Sequence, residues 1–143
     1  MTAFLLDVNV LIALIDPAHV QHDAAHEWFG DEGAKSWATC PLTENGLLRI
    51  VGHARYPGSP GSPAHVAKAL LGLCKLAGHQ FWPDDLTLRD AKRIDSARLL
   101  THGQVTDSYL LALALAHGGK LATLDRRLVT DAVYGGKAAL RVI

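Results

Sequence analysis

The stretch that decides the fold is Phe4-Leu5-Leu6-Asp7-Val8-Asn9-Val10-Leu11-Ile12, close to the start of the chain. A short apolar run ends at Asp7, and a second apolar run then continues until Asp16-Pro17 interrupts it. A strand that is apolar throughout and leads directly into a helix is typical of a parallel sheet buried on both faces. The stretch therefore predicts a buried first strand ending at Asp7, with a helix directly after it.

The remainder of the chain repeats this alternation of strand and helix. Further strands are predicted at 37–40, 79–82, 120–124 and 140–143, and further helices at 19–29, 42–51, 63–77, 88–100 and 107–117. Short apolar strands that alternate with helices predict right-handed crossovers and a central parallel sheet. At 143 residues the chain has the length of one domain. We therefore expect a single α/β domain over 1–143, an α/β/α sandwich.

Composition narrows the class of protein without naming a function. Hydrophobic residues make up 49% and charged residues 20%, which is typical of a compact folded protein. The 14 basic residues balance the 14 acidic ones, so a nucleic-acid ligand would need a local basic patch. Cys40 and Cys74 lie in apolar segments, which favours reduced thiols in the cytoplasm. No apolar run is long enough to span a membrane, and the start lacks a basic leader segment.

Carboxylates recur where the predicted strands end. Asp7 ends the first strand, Glu44 lies in the first turn of the helix after the second, Asp107 begins an apolar helix, and Asp125 follows the strand at 120–124. Each acid alone could be a helix cap or a partner of the helix dipole. Together they predict one acidic cluster at the sheet edge where ligands of parallel sheets bind. Crowded carboxylates repel one another unless a cation neutralises them, and hard oxygen ligands suit Mg²⁺ or Mn²⁺.

Four segments in order carry a family resemblance: 5–12, Thr43-Glu44, 106–110 and 121–125. Together they resemble the PIN-domain nucleases, and specifically the VapC toxins of bacterial toxin–antitoxin pairs. One such motif alone would be weak, but the match runs from Met1 to about Asp125. The chain departs from the pattern in the Arg126-Arg127 pair after its last acid, a position that varies within the family.

The resemblance implies a fold, an activity and partners. It implies a PIN-like sandwich and a metal-dependent endoribonuclease that cleaves RNA with a metal-activated water and inhibits translation or growth. Its catalytic acids correspond to Asp7, Glu44, Asp107 and Asp125, of which the first three would hold Mg²⁺ or Mn²⁺, with Asn9 in a supporting role. The expected partners are an RNA substrate, a VapB-type antitoxin and a second copy of the chain, in the cytoplasm and away from membranes. Apolar residues crowded at 11–15 and 70–73 suggest helices that could receive a partner helix.

The basic residues nearest these acids are candidates for contacts with RNA phosphates. Arg126 and Arg127 follow Asp125 directly, and Arg49 lies just over one helical turn beyond Glu44. Arg55 is a further candidate, and each of these residues could equally be an ordinary exposed cation.

Two other patterns have structural explanations. His19, His22 and His26 would share one helix face and could suggest zinc, but no cysteine or acid completes a set, so we expect capping or solvated histidines. Trp28, Trp37 and Trp82 lie in apolar context and are expected in the core.

Two other functions remain to be weighed. Phosphotransfer domains of the receiver and haloacid-dehalogenase types also place an aspartate after their first strand. The dehalogenase pattern needs a second aspartate where this chain has Asn9, and a receiver needs an early acidic pair that is absent. The remaining alternative is a catalytically inactive PIN fold that only binds RNA or protein, although none of its four acids has been lost.

Overall fold

The computed structural model describes all residues, 1–143, and contains a five-stranded parallel sheet with helices packed on both of its faces. The strands are β1 (Phe4–Leu6), β2 (Trp37–Thr39), β3 (His79–Phe81), β4 (Lys120–Thr123) and β5 (Leu140–Val142), in the order β3-β2-β1-β4-β5. The α-helices are α1 (Val8–Ile15), α2 (His22–Asp31), α3 (Pro41–Val51), α4 (Pro63–Cys74) and α5 (Gln104–Ala116). This confirms the predicted α/β/α sandwich with a central parallel sheet.

Each face of the sheet has its own hydrophobic core. Phe4 and Leu6 of β1 pack with α1 to α4 on one face, whereas Leu5 packs with α5 on the other. All three side chains are at most 5% exposed. This burial on both faces explains why the strand is apolar throughout instead of alternating with polar residues.

The order of the strands brings two distant parts of the chain together. β1 lies in the middle of the sheet, with β2 on one side and β4 on the other, and Leu6 pairs with Ala122. Since the strands are parallel, the carboxyl ends of β1 and β4 meet at one edge. Asp7 and Asp125 therefore lie at the same edge of the sheet.

The predicted helix over 88–100 is wrong. The segment instead forms turns, a three-residue 3-10 helix at Ser96–Arg98 and an isolated bridge between Ile94 and Val133. The side chains of Asp90 and Asp95 each accept a hydrogen bond from the backbone N–H two residues further along. Such local bonds give the backbone an alternative to helical pairing. Apolar residues recur in this segment because some of them pack into the hydrophobic core between the sheet and α5, where Ile94 is 3% exposed.

Other helices are confirmed with shifted ends. α2 begins at His22 rather than 19, α4 ends at Cys74 rather than 77, and α5 begins at Gln104, three residues before Asp107. Asp107 therefore lies within the first turn of α5 instead of being its first residue. None of the helices has both the length and the apolar character that crossing a membrane requires.

Candidate acidic active site

Asp7 both caps a helix and occupies the centre of the acidic edge. Its Oδ1 atom accepts a 2.7 Å hydrogen bond from the backbone N–H of Val8, at the start of α1. Its Oδ2 atom accepts a 2.8 Å bond from the Thr123 hydroxyl. The residue is only 8% exposed. Burial is the largest influence on its carboxyl and raises the pKa above the ordinary value, while the bonds from Thr123 and Val8 oppose that shift.

Thr123, the last residue of β4, joins the ends of the two central strands. Its hydroxyl is fully buried, donates to Asp7 and accepts from the Nδ2 of Asn9 at 3.0 Å and from the backbone N–H of Asp125 at 3.1 Å. The Oδ1 of Asn9 in turn accepts a 3.0 Å bond from the backbone N–H of Leu124. This network fixes the Asp7 carboxylate relative to the turn that carries Asp125. Asn9 therefore lies beside Asp7, and the supporting role in catalysis that the family resemblance implies for it stays a prediction.

Asp107 brings a third carboxylate to the same place. The pKa of its carboxyl is raised to about 6, mainly by burial and further by the negative charges of Asp7 and Asp125. The side chain makes no hydrogen bond and no ion pair with the protein. Asp125 is exposed, and its Oδ1 accepts a 2.8 Å bond from the backbone N–H of Arg127. The structure therefore brings Asp7, Asp107 and Asp125 together as mutually repelling carboxylates.

No cation of the protein neutralises this aspartate cluster, by which we mean Asp7, Asp107 and Asp125. The three ion pairs of the structure are Arg93–Asp90, Arg98–Asp95 and Arg141–Glu32, all elsewhere on the surface. Asp7 is buried, Asp107 is half-buried and Asp125 is exposed, and neighbouring carboxylates without a cationic partner are the kind of oxygen ligand that a hard divalent cation prefers. The residues present therefore fit the Mg²⁺ or Mn²⁺ that the sequence leads us to expect.

The side chain of Glu44 has different neighbours from those of the aspartates. It is in the first turn of α3, where its Oε2 accepts a 2.6 Å hydrogen bond from the Thr39 hydroxyl. Its nearest possible metal-binding neighbours are Cys74 and His79, and its charge raises the pKa of the Cys74 thiol in addition to the larger effect of burial. The charge of Glu44 is not among the causes that raise the pKa of Asp7 or of Asp107. In this conformation Glu44 is directed to the α4 side of α3, so its place among the metal ligands stays a prediction.

The candidate phosphate-binding residues are free to bind. Arg49, Arg55, Arg126 and Arg127 are all exposed, and none forms an ion pair. The Arg126-Arg127 pair follows Asp125 at the acidic edge, so it is the better placed of the candidates.

The histidines of the second helix are structural, as expected. Ring nitrogens of His22 and His26 bond the backbone carbonyls of Ala13 and Leu14 at 2.7 and 2.9 Å, near the end of α1. These rings satisfy carbonyls that a helix end leaves without a partner. Trp28, Trp37 and Trp82 are at most 7% exposed, which confirms that they belong to the core.

Sequence reasoning missed the roles of Thr123 and of Glu44's neighbours. Thr123 lies in the segment 121–125, and a hydroxyl two residues before an acid at the end of a strand is the signal that could have identified it. Cys74 and His79 gave no such signal, because Glu44 precedes them by about thirty residues in sequence.

Comparison with known proteins places this geometry in a family. The PIN domain model matches residues 4–132. Two ribonucleases of Mycobacterium tuberculosis, VapC44 and VapC39, are each 44% identical to the chain, over 92% of both chains for VapC44 and over 94% of this chain and 96% of the relative for VapC39. A solved structure, described as VapBC2 from Rickettsia felis bound to a promoter DNA fragment, superimposes with a TM-score of 0.62 at 12% identity over 99% of both chains, a likeness of fold. The chain therefore belongs to the PIN-domain family and, within it, to the VapC ribonucleases.

Proposed function

We propose that this protein is a Mg²⁺- or Mn²⁺-dependent endoribonuclease that acts as the toxin of a toxin–antitoxin pair, with its reaction centre at the aspartate cluster. The observation that carries the proposal is the convergence of Asp7, Asp107 and Asp125 without any cationic partner. The names of its relatives, ribonucleases VapC44 and VapC39, support the substrate class.

Asp7 and Asp107 would hold the ion, with Asp125 contributing negative charge to the same site and Asn9 fixing the orientation of Asp7. When bound, a divalent ion supplies an activated water and stabilises negative charge on the phosphate that is cleaved. Asp7 is pre-oriented for this role, because the Val8 N–H and the Thr123 hydroxyl fix its two carboxylate oxygens. A rigid ligand does not need to be ordered when the ion and substrate arrive.

Glu44 is proposed as a further catalytic acid and metal ligand on the strength of the family resemblance. To join the aspartate cluster, its carboxylate would have to release the Thr39 hydroxyl. Arg126 and Arg127, exposed beside Asp125, are proposed to bind RNA phosphates and position the strand, with Arg49 as a more distant contact.

The proposed partners follow from the same family. A VapB-type antitoxin would hold the nuclease inactive, since the structural neighbour from Rickettsia felis is a VapBC complex. Most apolar side chains of α1 are buried in the core, whereas Leu71 of α4 is 60% exposed. Helix α4 is therefore the better candidate for a surface that binds a partner helix or a second copy of the chain. Two free cysteines suit the reducing cytoplasm, which we propose as the location.

The test is RNA cleavage by the purified protein in Mg²⁺, compared with Asp107→Asn. Asp23→Asn is the matched control, because Asp23 is an exposed aspartate of α2 with no side-chain hydrogen bond. We expect Asp107→Asn to lower the cleavage rate by at least about a hundredfold, the scale of losing one pre-organised electrostatic group. Asp23→Asn should cleave at the wild-type rate. A wild-type protein that binds RNA but cleaves none in Mg²⁺ or Mn²⁺ would favour the inactive binding module instead.

A further inference from the structure

A second group of possible metal ligands lies apart from the aspartate cluster, between α3, the end of α4 and the start of β3. Ligand atoms of Glu44, Cys74 and His79 all lie within 4.8 Å of one another. Neighbouring ligands around a tetrahedral zinc ion are about 3.3–3.6 Å apart, given zinc–nitrogen and zinc–sulfur distances near 2.0 and 2.3 Å. Side-chain movements of about 1 Å would therefore close the group around an ion.

We propose that Glu44, Cys74 and His79 form a second cation site, which takes a borderline-soft divalent ion of the Zn²⁺ class. A thiolate and an imidazole favour zinc over magnesium, which selects oxygen ligands. The thiolate and the carboxylate together carry two negative charges, which balance one divalent ion. On binding, the thiol gives up its proton to solvent. Three protein ligands leave a fourth position for water.

The chain between two of the ligands is held in place by close packing. Cys74 is the last residue of α4 and His79 the first of β3. A Cβ added at Gly78 would lie 2.0 Å from the backbone oxygen of Ala34, so the connecting turn approaches the neighbouring backbone too closely for any other residue. The ring of His79 packs at 4.7 Å, between ring centroids, from that of the fully buried Trp37. Two of the three ligands are thus pre-positioned.

The buried Thr39 hydroxyl lies between the side chains of Glu44 and His79. It donates to Glu44 at 2.6 Å and pairs with Nε2 of His79 at 2.8 Å, so that the imidazole donates to it. An ion bound through Nε2 would take the place of the proton on that nitrogen, and this proton would move to Nδ1 of the same ring. Thr39 would keep its hydrogen bond to Glu44. A hydrogen-bonding partner of this kind orients metal ligands in known sites.

The group also opens onto a cavity that can admit an ion. The cavity has a volume of about 340 Å³ and is lined by the three donors together with Leu48, Ala67, Leu70 and Leu71. Its apolar wall excludes competing polar partners from the donors. All three donors are partly exposed, so an ion can reach them from solvent.

The experiment measures Zn²⁺ binding by calorimetry and Co²⁺ binding by absorption, with the purified chain and without RNA. We expect one Zn²⁺ bound per chain, and a thiolate-to-cobalt charge-transfer band on addition of Co²⁺. Cys74→Ser and His79→Gln should each weaken Zn²⁺ binding by at least about a hundredfold, beyond the roughly 10–100-fold cost of losing an outer partner. Circular dichroism would verify that both variants fold.

Asp107→Asn is the matched control, because it alters the aspartate cluster alone. It should bind Zn²⁺ as tightly as the wild type. Zinc affinity that Asp107→Asn abolishes and Cys74→Ser leaves unchanged would place the ion at the aspartates and overturn the proposal, as would a cobalt complex without the charge-transfer band. The site shares Glu44 with the proposed nuclease, but the binding measurement stands whether or not the protein cleaves RNA.

Discussion

Replacing Asp107 with asparagine should make the metal-free protein more stable while it lowers the rate of RNA cleavage by at least about a hundredfold. Asp107 makes no side-chain hydrogen bond, so Asp107→Asn removes a charge and little else. In the folded protein its carboxyl has a pKa of about 6, against 3.8 as the ordinary value, because it is partly buried near Asp7 and Asp125. The charged form is therefore disfavoured by folding.

The size of the gain follows from that shift. A difference of about 2 pKa units corresponds to roughly 2.7 kcal/mol, and solvent screening of this partly exposed group reduces it to about 1 kcal/mol. Between pH 4 and 6 the folded wild type binds more protons than the unfolded chain, so its stability falls as the pH rises through that window. Asp107→Asn lacks this dependence. Its advantage should be largest above pH 6 and vanish near pH 4.

The assay is thermal unfolding in EDTA from pH 4 to 8. At pH 7.5 an advantage of about 1 kcal/mol corresponds to an increase in Tm of roughly 3–5 °C for a domain of this size. Mg²⁺ should then raise the Tm of the wild type more than that of the variant, because binding stabilises the folded state. A variant less stable than the wild type at pH 7.5, or an advantage that does not change with pH, would refute the idea that these carboxylates repel one another.

Three further perturbations test other parts of the structure. Asp7→Asn should destabilise the metal-free protein by about 1–2 kcal/mol in urea unfolding, the opposite sign to Asp107→Asn, because an amide cannot accept the hydrogen bond from Thr123 in the same way. Thr123→Val should cost about 1–3 kcal/mol by the same measurement and lower RNA cleavage, with Thr123→Ser close to the wild type; equal stability of the two variants would deny the hydroxyl its role. Added Zn²⁺ should inhibit cleavage in Mg²⁺, and Cys74→Ser should need at least about a hundredfold more Zn²⁺ for the same fractional inhibition, each protein being compared with its own zinc-free rate. Equal inhibition of both proteins would mean that zinc acts elsewhere.

The parts of the fold that the sequence predicted are those in which burial alone decides the structure. Phe4-Leu5-Leu6 has no polar side chain that needs contact with water, so all three residues are most stable in a strand that is buried on both faces. The segment 88–100 also has apolar residues at intervals that suit a helix, but Asp90 and Asp95 form local turns that the spacing of apolar residues does not reveal. Local hydrogen bonding decided that segment.

The candidate site was predictable to the extent that it depends on strand ends. Asp7 and Asp125 follow neighbouring parallel strands, so the topology alone brings them to one edge. The direction of the Glu44 side chain depends on which face of α3 it occupies and on the hydroxyl of Thr39, a contact that sequence spacing does not encode. The position of an acid on a helix can be predicted from the sequence, but the partner of its side chain cannot.

The pairing of β1 with β4 also has a consequence for synthesis of the chain. Residues of the first strand meet their β4 neighbours more than a hundred positions later, and the Thr123 hydroxyl that fixes Asp7 is 116 residues away from it. Contacts of such long range form late, because the intervening chain must first be closed into a loop. A nascent chain on the ribosome therefore carries Asp7 and Asn9 long before β4 is made, and the aspartate cluster is not assembled until the β4 segment emerges. The ribosome that makes this protein therefore meets an assembled aspartate cluster only after residues 120–125 have been synthesised.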